Sequence, residues 1–195
     1  MAKKGVLTKA DYLPYAEYRD ILERLREDGN VFDELYFVLA FSTALRGNDL
    51  LSLKWKDILD KGYVFKVEQK TGKTRRLKFT PETMSRIKFL YEKIGNPDKD
   101  WYVFRSSLTG SHVTLQRINQ RLKALRDQYD ISITNFSSHT FRKTFGRYVW
   151  ESNGKSDAAI AKLCIIFNHS STEITMRYIG IRDEEVDEVY DSICL

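Results

Sequence analysis

The sequence predicts an α+β fold that is mainly helical and contains one small antiparallel β-sheet. Apolar residues recur at helical spacing through most of the 195 residues. Between residues 63 and 79 this period gives way to the pattern of two short strands. No internal repeat, low-complexity tract or linker divides the chain, so we expect a single domain over residues 1–195.

The first two elements are helices of different character. Residues 14–28 form an amphipathic pattern, and Gly29 stands where a helix-ending glycine is expected. Residues 31–45 are apolar on nearly every face, which is typical of a helix in the core. We expect this second helix to end at Arg46 and Gly47.

A short helix and a hairpin follow. Asn48 or Asp49 can cap a short helix that runs through the sequence LLSLKW. Residues 63–69 and 74–79 then read as two antiparallel strands, joined by a turn that contains Gly72.

Further helical patterns complete the chain. Thr80 and Pro81 form a capping pair for a helix that extends to about Ile94 and is closed by Gly95. Other helical patterns cover residues 114–129, 137–152, 156–167 and 182–195. The last is acidic and has an apolar stripe, formed by Val186, Val189, Tyr190 and Ile193.

The composition limits the functional classes. Lys and Arg (32) exceed Asp and Glu (27), for a net charge of +5, which is compatible with a polyanionic partner. The two cysteines, Cys164 and Cys194, form neither a disulfide framework nor a metal-binding spacing. The N-terminus lacks the apolar core of a secretory signal, and no run has the length of a membrane span. We therefore expect a cytoplasmic protein with no metal and no membrane partner.

Several side chains could bind or activate a phosphate, although each also has an ordinary structural explanation. Arg46 could interact with the carbonyl groups that end the preceding helix, and Lys70 could be a solvated hairpin residue. His139 and Arg142 share a helix face at i and i+3, as many pairs without a function do. A histidine and a tyrosine near the C-terminus could equally be structural.

Taken together, the order and spacing of these motifs resemble the catalytic domain of the tyrosine recombinases, the phage integrase family. TALRGNDLLSLKWKDI resembles the first arginine motif of that family, with Arg46 as the arginine and Asp49 at its acidic position. VEQKTGKTRRLKF resembles the lysine hairpin, with Lys70 as the catalytic lysine.

Two more motifs lie in the C-terminal part. SSHTFRKTFGRYV matches the H-x-x-R motif through His139 and Arg142. FNHSSTEITMRYIGI resembles the last motif, with its histidine at His169 and the nucleophile nine residues later at Tyr178. The specificity of the resemblance comes from the whole set, because any one of these residues alone is weak support.

The resemblance implies a site-specific recombinase of the integrase or invertase type, which cleaves and rejoins double-stranded DNA through a covalent 3′-phosphotyrosyl intermediate. Arg46 and Arg142 would clamp the phosphate, since a guanidinium matches it bidentately and stays charged. Lys70 would protonate the leaving 5′-oxygen, and His139 would assist proton transfer at Tyr178. His169 would donate a hydrogen bond to the phosphate. The covalent link conserves the bond energy, so no cofactor is expected.

The basic side chains expected to contact DNA lie on the hairpin and on the helix at 114–129. They are Lys73, Arg75, Arg76 and Lys78 on the first, and Arg117, Arg121, Lys123 and Arg126 on the second. The resemblance also implies self-association on DNA, from a dimer to a tetrameric synapse. The C-terminal tail at 181–195 would then pack either against a neighbouring protomer or on its own domain.

The chain departs from the commonest family pattern at three positions. Asn168 precedes the histidine where glycine is usual, Asp49 replaces glutamate, and Lys143 stands where histidine is common. Asparagine tolerates left-handed geometry, so we expect a helix-ending turn at Asn168. We also expect no N-terminal core-binding domain, which leaves either a fragment of a longer integrase or a short single-domain recombinase.

Two other functions fit the same residues. A type IB topoisomerase shares the catalytic set and relaxes supercoiled DNA without exchanging strands. A non-catalytic DNA-binding module of the same fold would have lost one or more of the catalytic groups, whereas all of them are present here.

Overall fold

The computed structural model describes residues 10–60, 63–70, 72–181 and 190–193. The elements within them run in this order: α1 (Tyr15–Glu27), α2 (Val31–Thr43), α3 (Gly47–Leu51), α4 (Trp55–Leu59), β1 (Tyr63–Val67), β2 (Thr74–Lys78), α5 (Pro81–Lys93), α6 (Leu115–Gln128), α7 (Ser138–Ser152), α8 (Asp157–Phe167) and α9 (Thr172–Ile179). The predicted class, mainly helical with a small antiparallel sheet, is confirmed.

The sheet is a two-stranded hairpin. β1 pairs with β2 in antiparallel register, from Tyr63 opposite Lys78 to Val67 opposite Thr74. One face turns inward and buries Val64 and Leu77, and Arg75 lies on that same buried face. The strands are shorter than predicted, since β1 ends at Val67 and β2 ends at Lys78.

Two apolar cores share α7, which contributes Phe141 to one and Trp150 to the other. The larger one surrounds α2, which buries residues on nearly all its faces, as its composition predicted. The smaller one joins the C-terminal half of α7 to α8 and α9 through Trp150, Leu163, Phe167 and Ile179. This second core fixes the position of α9, the helix that carries Tyr178.

The predicted end of α2 and the helix after it are wrong in detail. α2 stops at Thr43, because Ala44 adopts a left-handed conformation with φ 46°. Arg46 is therefore extended and precedes α3, which begins at Gly47. In place of one helix through LLSLKW there are two, α3 and α4, since the Asp57 carboxylate accepts a hydrogen bond from the Lys54 amide and starts a new helix there.

The predicted tail helix lies mostly outside the described residues, including Val186 and Val189. Tyr190 and Ile193, the other two residues of its stripe, are exposed. In the part of the chain that the structure describes, no helix has the length and apolar character needed to span a membrane.

Candidate active site

Four segments of the chain meet beside the N-terminal half of α7: the α2–α3 junction, the end of β1, the α8–α9 junction and α9 itself. Five of the six predicted catalytic residues lie on or next to these segments, and Lys70 lies at the exposed end of the hairpin. The site is thus built from residues 46 to 178, which only the tertiary fold brings together.

Arg142 stands at the centre of the site. Its side chain is buried, and its guanidinium donates to the carbonyl oxygens of Ala44 at 2.6 Å and Phe167 at 2.7 Å. These carbonyls end α2 and α8, so the guanidinium satisfies groups that a helix leaves unpaired. Burial, reinforced by the nearby charge of Arg46, lowers the pKa of Arg142 to about 10, and the group stays protonated at neutral pH.

Arg46 is held by a buried carboxylate, Glu68. Arg46 donates to Glu68 Oε2 at 2.5 Å, and the guanidinium of Arg142 lies 3.9 Å from Oε1 of the same residue. Burial opposes ionisation of Glu68, but hydrogen bonds from Asn168 and Arg46 outweigh it and lower its pKa. Glu68 is therefore an anion that ties the two predicted phosphate-binding arginines to the end of β1.

Arg75 belongs to this cluster and not to the DNA-facing surface. Its guanidinium is buried, donates to the carbonyl oxygens of Thr43 and Ala44, and lies 3.9 Å from Glu68 Oε1. Burial and the neighbouring arginines lower its pKa to about 10. The expectation that Arg75 contacts DNA from the hairpin surface is wrong for this conformation, because the register of β2 turns it inward.

Tyr178 lies inside the site. Its hydroxyl oxygen is buried. The Arg142 guanidinium carbon lies 5.9 Å from the centre of the Tyr178 ring, and the Lys143 ammonium lies 5.7 Å from it. Burial raises the pKa of Tyr178, and the charges of Arg142 and Arg46 oppose that rise.

Both predicted histidines lie near this tyrosine. The His169 ring contacts the Tyr178 ring edge to face, with the centroids 5.3 Å apart. His139 lines a pocket of about 400 Å³ together with Tyr178 and Lys143. Both histidines are neutral at pH 7: burial and the charge of Arg142 lower the pKa of His169 to about 4, and partial burial together with the neighbouring cations lowers that of His139.

The hydrogen bonds of His169 bear on its predicted role. The Thr175 hydroxyl donates to the Ser171 carbonyl oxygen, so its lone pairs face the ring nitrogen Nδ1 of His169 at 3.0 Å. In the tautomer that carries its proton on Nδ1, the neutral ring donates to Thr175 and Nε2 is an acceptor. In that tautomer, a hydrogen bond from Nε2 to a phosphate requires that the ring take up a second proton.

The predicted acidic residue Asp49 is buried and acts on the hairpin. Its carboxylate accepts a hydrogen bond from the Gln69 amide at 2.9 Å. Lys70 follows directly and is exposed, yet its charge is close enough to contribute to the lowered pKa of His139. Asp49 thus fixes the backbone that carries Lys70.

The other predicted DNA contacts lie on the surface. Arg76 stacks on the Tyr63 ring at 5.1 Å, and Arg121 forms a salt bridge with the buried carboxylate of Asp33. Exposed positions are occupied by Lys73, Lys78, Arg117 and Lys123. Among the described residues, no group of three or more His, Cys, Asp or Glu side chains is placed to hold a metal ion.

Comparisons with known proteins show the family to which this chain belongs. The family model of the phage integrase family matches residues 11–185. The probable integrase/recombinase YoeC of Bacillus subtilis (strain 168) is 32% identical over 176 residues, which cover 87% of this chain and 92% of YoeC. This chain belongs to the phage integrase family.

Solved structures share the fold of this family member. The crystal structure of XerA recombinase has a TM-score of 0.70 at 20% identity and covers 92% of this chain. A lambda integrase dimer bound to a COC′ core site has a TM-score of 0.66 at 19% identity and covers 93%. The chain spans 64% of the first structure and 50% of the second, so those proteins are longer.

Sequence reasoning missed Glu68 and the buried role of Arg75. Both lie in a hairpin whose many charges suggest a solvated surface. The strand period could have found Arg75, because Arg75 shares the inward face with Leu77.

Proposed function

We propose that this chain is a site-specific DNA recombinase that cuts and rejoins double-stranded DNA through a covalent 3′-phosphotyrosyl bond at Tyr178. One observation carries the proposal: the buried Tyr178 hydroxyl lies beside Arg142 in a site that holds excess positive charge. The family membership supports the same reaction class.

The charge balance of the site favours an anion. Among the residues that the structure describes, the guanidinium groups of Arg46, Arg75 and Arg142 share the carboxylates of Glu68 and Asp49, so three positive charges face two negative ones. Burial is the main cause of the lowered pKa of both buried arginines. Repulsion by Arg142 lowers the pKa of Arg75 further, and repulsion by Arg46 lowers that of Arg142. A phosphodiester would supply the missing negative charge, and its charge on the non-bridging oxygens grows in a pentacoordinate transition state.

The proposed reaction assigns a role to each group. The Tyr178 oxygen attacks the phosphorus, the bond from phosphorus to the 5′-oxygen breaks, and the tyrosine becomes linked to the 3′-phosphate. The phenol proton passes to neutral His139, and the ammonium of Lys70 protonates the departing 5′-oxygen. In the reverse step, a 5′-hydroxyl of another strand displaces the tyrosine.

The pKa values of the free protein suit this sequence of events. A buried, neutral Tyr178 is protected from reaction until a base takes its proton. His139 can accept that proton because its lowered pKa leaves it unprotonated at pH 7. His169 has a pKa of about 4 here, and the negative phosphate would raise it, so that the ring could donate from both nitrogens.

The proposed partners are double-stranded DNA and further copies of this chain. The exposed basic residues of β2 and α6 face solvent and are suited to the phosphate backbone. Recombination joins strands from two duplexes, so a dimer on each site and a tetrameric synapse are the proposed assemblies.

The experiment uses duplex DNA with one 5′-bridging phosphorothiolate between randomised flanks. The sulfur leaving group rejoins poorly, so the covalent adduct accumulates and its DNA can be sequenced. Denaturing electrophoresis should show a DNA-shifted band for the wild type and none for Tyr178→Phe. An adduct of equal yield in the Phe variant, or none from the wild type, would contradict the proposal. Strand exchange between two selected sites, compared with relaxation of a supercoiled plasmid, separates recombination from topoisomerase activity.

A further inference from the structure

The side chain of Asn168 makes a contact that its backbone role does not require. Asn168 ends α8 in the left-handed conformation, with φ 51° and ψ 40°, as expected from its position before His169. Its amide nitrogen also donates to Glu68 Oε2 at 3.1 Å, across 100 residues of sequence. The α8–α9 junction is thereby bonded to the end of the hairpin.

The same carboxylate oxygen holds Arg46. Glu68 Oε2 accepts from Arg46 at 2.5 Å and from Asn168 at 3.1 Å, and Glu68 is fully buried. The other oxygen, Oε1, lies 3.9 Å from both Arg142 and Arg75, so a rotation of the carboxylate would turn Oε2 away from Arg46. The second donor fixes the plane of the carboxylate and with it the direction in which Arg46 points.

We infer that Asn168 is a positioning residue for phosphoryl transfer. Its side-chain amide orients Glu68, and Glu68 in turn points the Arg46 guanidinium toward the phosphate. The same hydrogen bond links Glu68 to the segment that carries His169 and Tyr178. This inference rests on the proposed function. Asn168 touches neither phosphate nor nucleophile in this role, because it acts through Glu68.

Replacement by glycine separates the two roles of this residue. Glycine adopts the left-handed conformation at no steric cost, so Asn168→Gly keeps the helix-ending turn and removes only the amide. If Asn168 served the turn alone, the variant would fold and react as the wild type does. The matched control is Asn96→Gly, since Asn96 is also left-handed, with φ 52°, but is exposed and follows α5, which carries no residue of the site.

The first measurement is single-turnover adduct formation on a phosphorothiolate duplex selected by the wild type. Loss of one hydrogen bond to a charged acceptor should slow Asn168→Gly about tenfold. The dissociation constant for uncleaved DNA should change by less than about twofold, because Arg46 is misdirected and not removed. Asn96→Gly should react at the wild-type rate. An unchanged rate for Asn168→Gly, or an equal slowing of the control, would overturn the inference.

The second measurement needs no DNA. The guanidinium N–H resonances of Arg46, assigned by their loss in Arg46→Lys, should be sharp in the free wild type and broadened by exchange in Asn168→Gly. Unchanged resonances would show that Arg46 does not depend on Asn168. A wild type that forms no adduct contradicts the proposed function instead, so the two failures are distinguishable.

Discussion

Gly146 lets α7 and α9 approach closely, and a methyl group there should displace the nucleophile. A Cβ at Gly146 would lie 2.6 Å from Ile179 Cγ2 and 3.0 Å from two ring carbons of Phe167. Carbon atoms pack at about 3.5–4.0 Å, so α9 must move by roughly 1 Å in Gly146→Ala. Ile179 adjoins Tyr178, and that movement is transmitted to the attacking oxygen.

The expected cost to stability is small and the cost to reactivity is large. Overpacking costs about 1–3 kcal/mol, and the better helix propensity of alanine returns about 1 kcal/mol, so the free energy of unfolding should fall by roughly 0–2 kcal/mol. A displacement of about 1 Å can slow a positioned reaction about a hundredfold. Urea unfolding and single-turnover adduct formation measure the two effects.

Removal of the clashing atom provides the control. Ile179→Ala deletes Cγ2, so in the double variant the Gly146→Ala substitution should cost less stability than it does alone, with a coupling of about 1 kcal/mol. A Gly146→Ala protein that forms adduct at the wild-type rate would refute the idea that this contact positions Tyr178. Strictly additive effects on stability would refute the contact itself.

Three further predictions follow from other contacts of the site. Asp49→Ala should slow cleavage of an ordinary phosphodiester about tenfold, because Asp49 fixes the backbone that carries Lys70. The rate should recover on a 5′-phosphorothiolate substrate, since a sulfur leaving group does not need Lys70 as an acid. A defect of equal size on both substrates would contradict the role of Asp49 in placing Lys70. Arg75→Met should lower the free energy of unfolding by about 2–4 kcal/mol in urea denaturation, because two buried carbonyl groups lose a charged donor. A variant as stable as the wild type would argue against the buried position of the Arg75 guanidinium. The pKa of His169 is about 4 in the folded protein and 6.5 in its unperturbed form, so the unfolded state takes up the proton first and the free energy of unfolding falls as the pH drops from about 6.5 to 4. The loss should be about 2 kcal/mol after allowance for solvent screening, and it should be smaller in His169→Gln. An identical pH dependence of stability in wild type and variant would contradict the shift.

Hydrophobic periodicity predicted the bounds of a helix well where that helix packs one apolar face against a single core. The predicted and observed bounds agree within about two residues for α1, α5 and α6. Local signals mark these ends: Gly29 after α1, and the capping residues Thr80 and Thr114 before α5 and α6. The end of α2 could not be predicted in this way. Ala44 has no local preference for the left-handed conformation, and its carbonyl oxygen is stabilised there by Arg75 and Arg142, which come from distant parts of the chain.

The same distinction applies to the site. The motif pattern predicted which residues carry chemistry, and the structure brings Arg46, Arg142, His169 and Tyr178 together beside α7. It could not identify Glu68, because a carboxylate in a basic hairpin has no sequence feature that separates a buried partner from a solvated one. The inward register of the strands and the contact across 100 residues to Asn168 supply that information.

The most direct test of the central role of Tyr178 is to map the site of covalent attachment. The adduct trapped on phosphorothiolate DNA would be digested with nuclease and protease and analysed by mass spectrometry, which distinguishes Tyr178 from the other ten of the eleven tyrosines. We predict a nucleotide linked through its 3′-phosphate to the peptide that contains Tyr178. A nucleotide on any other residue, or a link through the 5′-phosphate, would contradict the proposed mechanism.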